Sequence, residues 1–223
     1  NPSSISRLES FKKGFFQVQD ESSMIVSKVL NPKPGQLVID VCSAPGGKST
    51  HIAQLMGDKG TVISRDIHEH KIKLINDAVK RLGLNIIKTE LFDALKVDSS
   101  YVEKADAVLV DAPCTGLGII RRKPDIKWAR KSEDTEEISV LQKKIISSAS
   151  RYVKPGGVLV YSTCTIQPEE NEDVIRWFLR ENNDFYPVDI APLLPKELAV
   201  YACSYGYIKV YPNRDGIDGF FIS

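Results

Sequence analysis

The chain lacks several features that mark whole classes of protein. Its 223 residues include four cysteines, Cys42, Cys114, Cys164 and Cys203, and no C-x-x-C pair. Neither a disulfide framework nor a zinc site is therefore predicted, and a reducing, cytoplasmic location is expected. There are three histidines, and two of them, His68 and His70, are two residues apart on a predicted helix, where their rings face different directions. We expect no bound metal.

Charge and hydropathy exclude further classes. The formal net charge of +1 gives no general attraction for nucleic acid, so a polyanion would have to bind at a local patch. No apolar run approaches the roughly 18 residues that a membrane-spanning helix needs, so no membrane association is expected. What is present, 42% hydrophobic and 26% charged residues, is ordinary for a globular protein. The length fits either one large domain or one domain with a small appendage. The first residue is Asn1 rather than methionine, which suggests a fragment.

Strand and helix patterns alternate along the chain. This alternation predicts an α/β fold with a Rossmann-like, doubly wound, mostly parallel sheet, whose ligands bind beyond the carboxyl ends of the strands. A lead-in segment is predicted at 1–36, with a Ser4-capped helix at 4–11 and another at 19–30, and the main domain at 37–223. Strands are predicted at 37–41, 61–65, 86–89, 105–110 and 158–162, a terminal antiparallel hairpin at 207–211 and 219–222, and helices at 47–56, 71–82, 132–152 and 171–179.

The stretch 37–50 reads as a strand, a glycine turn and the start of a helix. Gly46 and Gly47 lack a Cβ, so main-chain N–H groups can approach a ligand at the positive end of that helix. The dinucleotide fingerprint G-x-G-x-x-G is absent. A phosphate-binding P-loop is a near miss, because Cys42 replaces its first glycine and Pro45 removes an N–H donor. An S-adenosylmethionine site is favoured, a P-loop is the alternative, and a purely structural turn is a third.

Asp66 follows the second predicted strand. It lies about 20 residues beyond Gly46, the separation at which a carboxylate accepts hydrogen bonds from a ribose diol in nucleotide-binding folds. The alternative is that Asp66 only caps the next helix.

Two cysteines, Cys114 and Cys164, each follow a predicted strand that points to the same edge of the sheet. Singly, each is better explained as a small buried thiol. Together, with Asp111 beside one of them and a cofactor loop on the first strand, they indicate nucleophilic chemistry. The reaction would be addition to a pyrimidine: a thiolate at carbon 6 makes carbon 5 nucleophilic enough to take a methyl group. A carboxylate at ring nitrogen 3 would stabilise the adduct, and a base must then remove the carbon 5 proton.

Three motifs in a fixed order resemble the Sun family of RNA cytosine-5 methyltransferases: DVCSAPGGKST at 40–50, DAPCTGLG at 111–118, and YSTCT at 161–165 followed by PEEN at 168–171. The resemblance implies the S-adenosylmethionine-dependent methyltransferase fold and an RNA substrate, with ribosomal RNA the expected target. It makes Cys164 the nucleophile and Cys114 the residue that assists product release, with catalytic roles also expected for Asp111 and Lys48. The cofactor-binding residues it implies are Cys42, Ser43, Ala44, Pro45, Gly46, Gly47, Lys48, Asp66, Asp93 and Asp111. Thr115 and Thr165 depart from the serine common in that family.

The segment 121–131 contains six basic residues, one acid and Trp128. Basic side chains with an aromatic ring for stacking suit single-stranded RNA, and the alternative is an ordinary solvated surface. Two rival functions remain open from the sequence: a P-loop-type NTPase, in which Lys48 and Ser49 would bind phosphate and Mg²⁺, and an RNA-binding scaffold without turnover. Protein partners are not predicted.

Overall fold

A computed structural model describes residues 5–129 and 131–223 of the chain; Ser4, the predicted cap, and Arg130 of the basic segment lie outside them. Seven strands form one sheet in the order β3-β2-β1-β4-β5-β7-β6. Strands β1 to β5 run parallel to one another, and β7 is antiparallel to both β5 and β6. The predicted doubly wound sheet and its terminal hairpin are therefore confirmed. The strands are β1 Leu37–Asp40, β2 Thr61–Asp66, β3 Ile87–Leu91, β4 Ala105–Asp111, β5 Val153–Thr163, β6 Ile208–Val210 and β7 Phe220–Ile222.

Helices cover both faces of this sheet. The principal ones agree with the predicted helices to within about two residues at most boundaries. None of the helices in the described ranges is long and apolar enough to cross a membrane. The helices are α1 Glu9–Lys12, α2 Glu21–Leu30, α3 Gly47–Leu55, α4 Glu69–Leu82, α5 Ile126–Ala129, α6 Ser132–Ser150, α7 Glu172–Glu181, α8 Lys196–Ala199 and α9 Pro212–Asp215, with 3₁₀ turns at Ser99–Tyr101, Leu117–Ile119, Pro168–Glu170 and Ala191–Leu193.

The fifth strand is longer than predicted. The prolyl-glycyl-glycyl run at 155–157 was expected to turn into a strand at 158–162, but β5 begins at Val153. Ala105 of β4 pairs with Val153 and Ala107 pairs with Val158, so the residues between them form a bulge inside a continuous strand. The prediction was wrong here because glycine and proline mark a bulge as readily as a turn, and only pairing on both sides distinguishes the two.

The lead-in segment contributes to the main core. Asp20 caps helix α2 by accepting a hydrogen bond from the Ser22 amide (2.9 Å), and the Ser22 hydroxyl donates to the Asp218 carbonyl (2.6 Å). Apolar side chains of α2 are buried with those of β1, α3 and β6, among them Ile25, Val26, Val29 and Leu30. Helix α1 of the lead-in segment is only four residues long, at Glu9–Lys12. A domain boundary at residue 36 stays a prediction.

Strand order reverses between β1 and β4, which are hydrogen-bonded neighbours. At such a switch point the loops that follow the two strands diverge and leave a crevice at the carboxyl end of the sheet. The loop after β5, which pairs with β4, reaches the same edge. The fold thus brings three loops together, at 41–46, 112–116 and 164–167.

Candidate active site

The loop at 41–46 forms a tight turn between β1 and α3. The Ser43 amide and hydroxyl both donate to the Arg65 carbonyl, at 2.8 and 2.9 Å. Gly46 has a φ of 100°, and a Cβ on it would lie 3.3 Å from Ile75 of α4, so both its conformation and its packing favour glycine. On Gly47 a Cβ would make only an ordinary contact with the Gln19 side chain, at 3.9 Å, so packing does not require glycine there.

The predicted carboxylates Asp66 and Asp93 lie just beyond neighbouring strands. Asp66 ends β2 and is buried; its Oδ1 accepts a hydrogen bond from the His68 amide (3.0 Å) and lies 3.7 Å from the Lys71 ammonium. Asp93 Oδ1 accepts from the Leu95 amide (3.0 Å) in the turn after β3. Both carboxylates therefore support local turns, at the sheet edge where a ribose and its base were expected.

The two cysteines predicted to share a crevice are in contact. The Sγ atoms of Cys114 and Cys164 are 3.2 Å apart. Their loops are joined at two further points: the Gly118 amide donates to the Cys164 carbonyl (2.9 Å), and the hydroxyls of Thr115 and Thr165 are 2.9 Å apart. A Cβ on Gly118 would come within 2.1 Å of the Gly219 carbonyl oxygen, so this junction requires glycine.

Electrostatics make the two thiols unequal. We assign Cys114 as the donor in the contact with Cys164, and this hydrogen bond, together with burial and the charge of Glu170, raises the pKa of Cys114. Accepting the same hydrogen bond lowers the pKa of Cys164 despite its burial, and the Lys48 ammonium lowers it further against the opposing charge of Asp111. Cys164 is thus the thiol that ionises first, which is what a nucleophile needs.

Lys48 and Asp111 link the cofactor loop to the cysteines. The Lys48 ammonium lies 2.7 Å from Asp111 Oδ2, and the Ser162 hydroxyl donates to Asp111 Oδ1 at 2.7 Å. Each carboxylate oxygen of Asp111 therefore accepts one hydrogen bond, Oδ2 from Lys48 and Oδ1 from Ser162. The same ammonium lies 5.2 Å from the centroid of the Phe220 ring, in cation–π range. A phosphate-binding role for Lys48, as in a P-loop, would require this ion pair to break.

Cys42 is not a third nucleophile. Burial and the nearby carboxylates of Asp40, Asp111 and Asp66 raise the pKa of its thiol far above the ordinary value, so Cys42 stays protonated. Its place in the cofactor loop is consistent with a packing contact rather than with covalent chemistry.

Asp40 was missed as a functional candidate, although it opens the first motif. It is fully buried at the end of β1, where its Oδ2 accepts from the Ser49 hydroxyl (2.6 Å) and its Oδ1 has no partner among the described residues. Burial raises the pKa of Asp40 to about 7, against the Ser49 hydrogen bond and with help from the charge of Asp111. The signal available in the sequence was an acidic residue that directly follows an apolar strand.

The basic segment divides into two parts. Arg121 bonds to fully buried Asp218 at 2.7 Å, while Arg122 bonds to Asp218 and lies 3.6 Å from Asp20. That this segment binds RNA stays a prediction; Arg121 and Arg122, whose side chains are 42% and 53% exposed, also neutralise the buried Asp218 carboxylate. Trp128 is 83% exposed on α5, with the Lys127 ammonium 5.2 Å from its ring centroid. Exposed cations remain at 123, 127 and 131.

The sheet order and the glycine turn after β1 define the Rossmann-like fold of S-adenosylmethionine-dependent methyltransferases. An O-methyltransferase of this class from Thermotoga maritima has a similar fold at 13% identity, with a TM-score of 0.54 over 99% of this chain and 68% of its own. The particular family follows from closer similarity: the family model described as 16S rRNA methyltransferase RsmB/F matches residues 27–223. The chain belongs to this family, and its resemblance to Sun proteins is confirmed.

Individual relatives share much more of the sequence. A probable ribosomal RNA small subunit methyltransferase B of Bacillus subtilis is 46% identical over 95% of this chain and 48% of its own length. A tRNA (cytosine(72)-C(5))-methyltransferase of Pyrococcus horikoshii is 36% identical over 99% of this chain and 54% of its own. The crystal structure of NSun6 from Pyrococcus horikoshii with SFG, a cofactor analogue, has a TM-score of 0.81 at 34% identity, over 97% of this chain and 54% of that one. The chain spans about half the length of these relatives.

Proposed function

We propose that the protein transfers a methyl group from S-adenosylmethionine to carbon 5 of a cytidine in RNA, through a covalent bond between Cys164 and the base. The observation that carries this proposal is the contact of the two cysteines at 3.2 Å, together with the Lys48–Asp111 ion pair that ties them to the cofactor loop. Small-subunit ribosomal RNA is the favoured target, because the family model and the Bacillus subtilis relative are described by that substrate.

The loop after β1 fits S-adenosylmethionine. Helix α3 begins after Gly46 with no side chain capping it, so its first N–H groups can meet a carboxylate of the ligand. Gly47 presents no side chain to a ligand, and Asp66 is a buried acceptor for ribose hydroxyls. The bound cofactor would supply an electrophilic methyl group on a sulfonium. The P-loop alternative finds no support in these relationships.

The chain's own residues would activate the cytosine. The Cys164 thiolate adds to carbon 6, forming an S–C bond and moving the ring electron pair toward nitrogen 3, which takes a proton. Asp111 is the carboxylate for that nitrogen, and Lys48, bonded to it at 2.7 Å, is the source of the proton. The resulting enamine makes carbon 5 nucleophilic.

The second half of the reaction restores the ring. Once carbon 5 carries the methyl group, a base removes the carbon 5 proton, the C–H electron pair re-forms the 5,6 double bond, and the S–C bond breaks with Cys164 leaving as thiolate. Nitrogen 3 returns its proton through Asp111 to Lys48, so the product is a neutral 5-methylcytosine. Cys114, in contact with the leaving sulfur, is placed to assist this step. The mechanism needs one thiol to attack carbon 6 and a second group to assist its departure, and the two cysteines in contact supply both.

Labelled methyl transfer tests the proposal. The protein is incubated with methyl-labelled S-adenosylmethionine and either transcribed small-subunit ribosomal RNA or tRNA, and the nucleosides are separated. Label in 5-methylcytidine of the ribosomal RNA is the expected result. Label in tRNA alone would identify tRNA rather than ribosomal RNA as the substrate. ATP hydrolysis or RNA binding without any 5-methylcytidine would overturn the proposed methyl transfer.

A further inference from the structure

We infer that Glu170 is a positioning residue for Cys114, holding the turn that carries this thiol against Cys164 during product release. The inference rests on the proposed function. Glu170 ends the 3₁₀ turn Pro168–Glu170 after β5 and is fully buried. It belongs to the PEEN stretch of the third motif, in which the resemblance to the family assigns it no role.

Three donors converge on the Glu170 carboxylate. The Thr115 hydroxyl donates to Oε1 at 2.5 Å, and the Thr115 amide donates to Oε2 at 2.9 Å. The side-chain amide of Gln142, on helix α6, donates to Oε2 at 3.1 Å. Both carboxylate oxygens are thus satisfied, and each accepts a hydrogen bond from Thr115, the residue that directly follows Cys114.

The residue before Cys114 is held by the same group. Gln142 also donates to the Pro113 carbonyl, at 3.0 Å. Pro113 and Thr115 are therefore tied, indirectly and directly, to one carboxylate. Cys114 lies between them, so the direction of its thiol depends on Glu170.

The hydrogen-bonded cluster of Glu170, Thr115 and Gln142, here called the clamp, extends to the Cys164 loop. The Thr115 hydroxyl lies 2.9 Å from that of Thr165, and the Glu170 carbonyl accepts a hydrogen bond from the Tyr161 hydroxyl (2.7 Å) in β5. Loss of the carboxylate would therefore loosen the register between the two cysteines.

Stability alone does not explain a charge at this position. The described residues form no salt bridge to Glu170, and a buried carboxylate without a cation costs free energy. A carboxylate is nevertheless the side chain that accepts from all three donors while presenting no hydrogen of its own. Glutamine would direct an NH₂ group at one of those donors. The charge of Glu170 also raises the pKa of Cys114, which keeps that thiol protonated.

The test compares Glu170→Gln with Glu169→Gln, an exposed neighbour, and with Glu170→Asp. Each protein receives labelled ribosomal RNA and S-adenosylmethionine, and the covalent protein–RNA species is followed on a denaturing gel. Glu170→Gln should keep the cofactor Kd within about twofold of wild type and lengthen the lifetime of the adduct at least tenfold. Glu169→Gln should match wild type, and Glu170→Asp, which retains both acceptors on a shorter arm, should lie between.

A second readout needs no RNA. Iodoacetamide labelling followed by mass spectrometry measures the reactivity of each thiol, and Glu170→Gln should raise labelling of Cys114 relative to Cys164 several-fold. Should that variant fail to fold, Thr115→Val removes one donor of the clamp and should lengthen the adduct lifetime, with Thr115→Ser restoring it.

Two results in Glu170→Gln would overturn the inference. The first is a wild-type adduct lifetime together with wild-type thiol labelling. The second is a loss of cofactor affinity as large as the loss of the product-release rate, which would indicate a structural role only. A wild-type protein that forms no 5-methylcytidine defeats the proposed function instead. The labelling ratio then still decides whether Glu170 positions Cys114.

Discussion

The Sγ atoms of Cys114 and Cys164 lie 3.2 Å apart although 50 residues separate them in the chain. Asp111 of β4 pairs with Ser162 of β5, so the residues that follow these two strands leave the sheet side by side. One thiol donates and the other accepts, and their losses should therefore have different consequences.

Cys164→Ala should abolish methyl transfer and form no covalent adduct, because no thiol remains to add to carbon 6. Cys114→Ala should instead accumulate a covalent protein–RNA species, since attack and methylation can proceed while release is impaired. Denaturing gels with labelled RNA distinguish the two. An adduct in the Cys164 variant and none in the Cys114 variant would reverse the roles.

Removing the Cys114 thiol should also change the acidity of Cys164. The hydrogen bond from Cys114 lowers the pKa of Cys164, so Cys114→Ala should raise that pKa and move the midpoint of its alkylation rate to higher pH. Iodoacetamide kinetics between pH 6 and 10 measure the midpoint. Cys203→Ser, at a cysteine 39 residues beyond Cys164 in the chain, is the control. An unchanged midpoint in Cys114→Ala would contradict the assigned hydrogen-bond direction.

Asp66→Ala should weaken S-adenosylmethionine binding by about 1.5 to 3 kcal/mol, or roughly ten- to a hundredfold in Kd, because ribose hydroxyls lose a charged acceptor. Asp66 also supports the turn before α4, so thermal unfolding must be measured beside calorimetry. Asp77→Ala, on the exposed side of α4, provides a matched control. Equal affinities in the two variants would remove Asp66 from the cofactor site.

Substitutions in two parts of the basic segment should have different effects, one on RNA binding and the other on the free energy of unfolding. Neutralising the lysines at 123, 127 and 131 should weaken RNA binding and reduce its salt slope by about 2, at roughly 0.7 counterions per phosphate contact on a single strand. Replacing Arg121 and Arg122 by alanine should instead lower the free energy of unfolding by on the order of 1 to 3 kcal/mol, because buried Asp218 loses its cations. Urea denaturation and salt titrations measure these effects. An unaltered slope in the lysine variant would return that surface to a purely solvating role.

Asp40 should make stability depend on pH. Its pKa is raised from 3.8 to about 7, so between these values the folded protein keeps a proton that the unfolded chain releases. The free energy of unfolding should accordingly fall as pH rises through this window, by up to about 1.4 kcal/mol per unit.

Asp40→Asn cannot titrate, so its stability relative to wild type should increase from pH 5 to pH 8. Urea denaturation without cofactor measures the difference, with Asp77→Asn as the control. Parallel pH profiles for wild type and Asp40→Asn would show that folding does not raise the pKa of this carboxyl.

Much of the fold could be predicted because its signals are local. Apolar runs, helical spacing and a glycine turn after β1 located five parallel strands and the terminal hairpin, and the order of the motifs placed Cys114 and Cys164 at one edge. The bulge in β5 could not be predicted, since it depends on how Ala105 and Ala107 of another strand pair with it.

The amino-acid sequence by itself determined the family, the alternation of strands and helices, and the residue types available for chemistry. The tertiary structure decided which of those residues act on one another: that the thiols of Cys114 and Cys164 are in contact, that Arg121 pairs with buried Asp218, and that Glu170 accepts hydrogen bonds from the turn around Cys114. These relationships join residues 50, 97 and 55 positions apart. No local pattern encodes them, because pKa, ion pairing and burial depend on the distances and solvent exclusion that exist only after the sheet has formed.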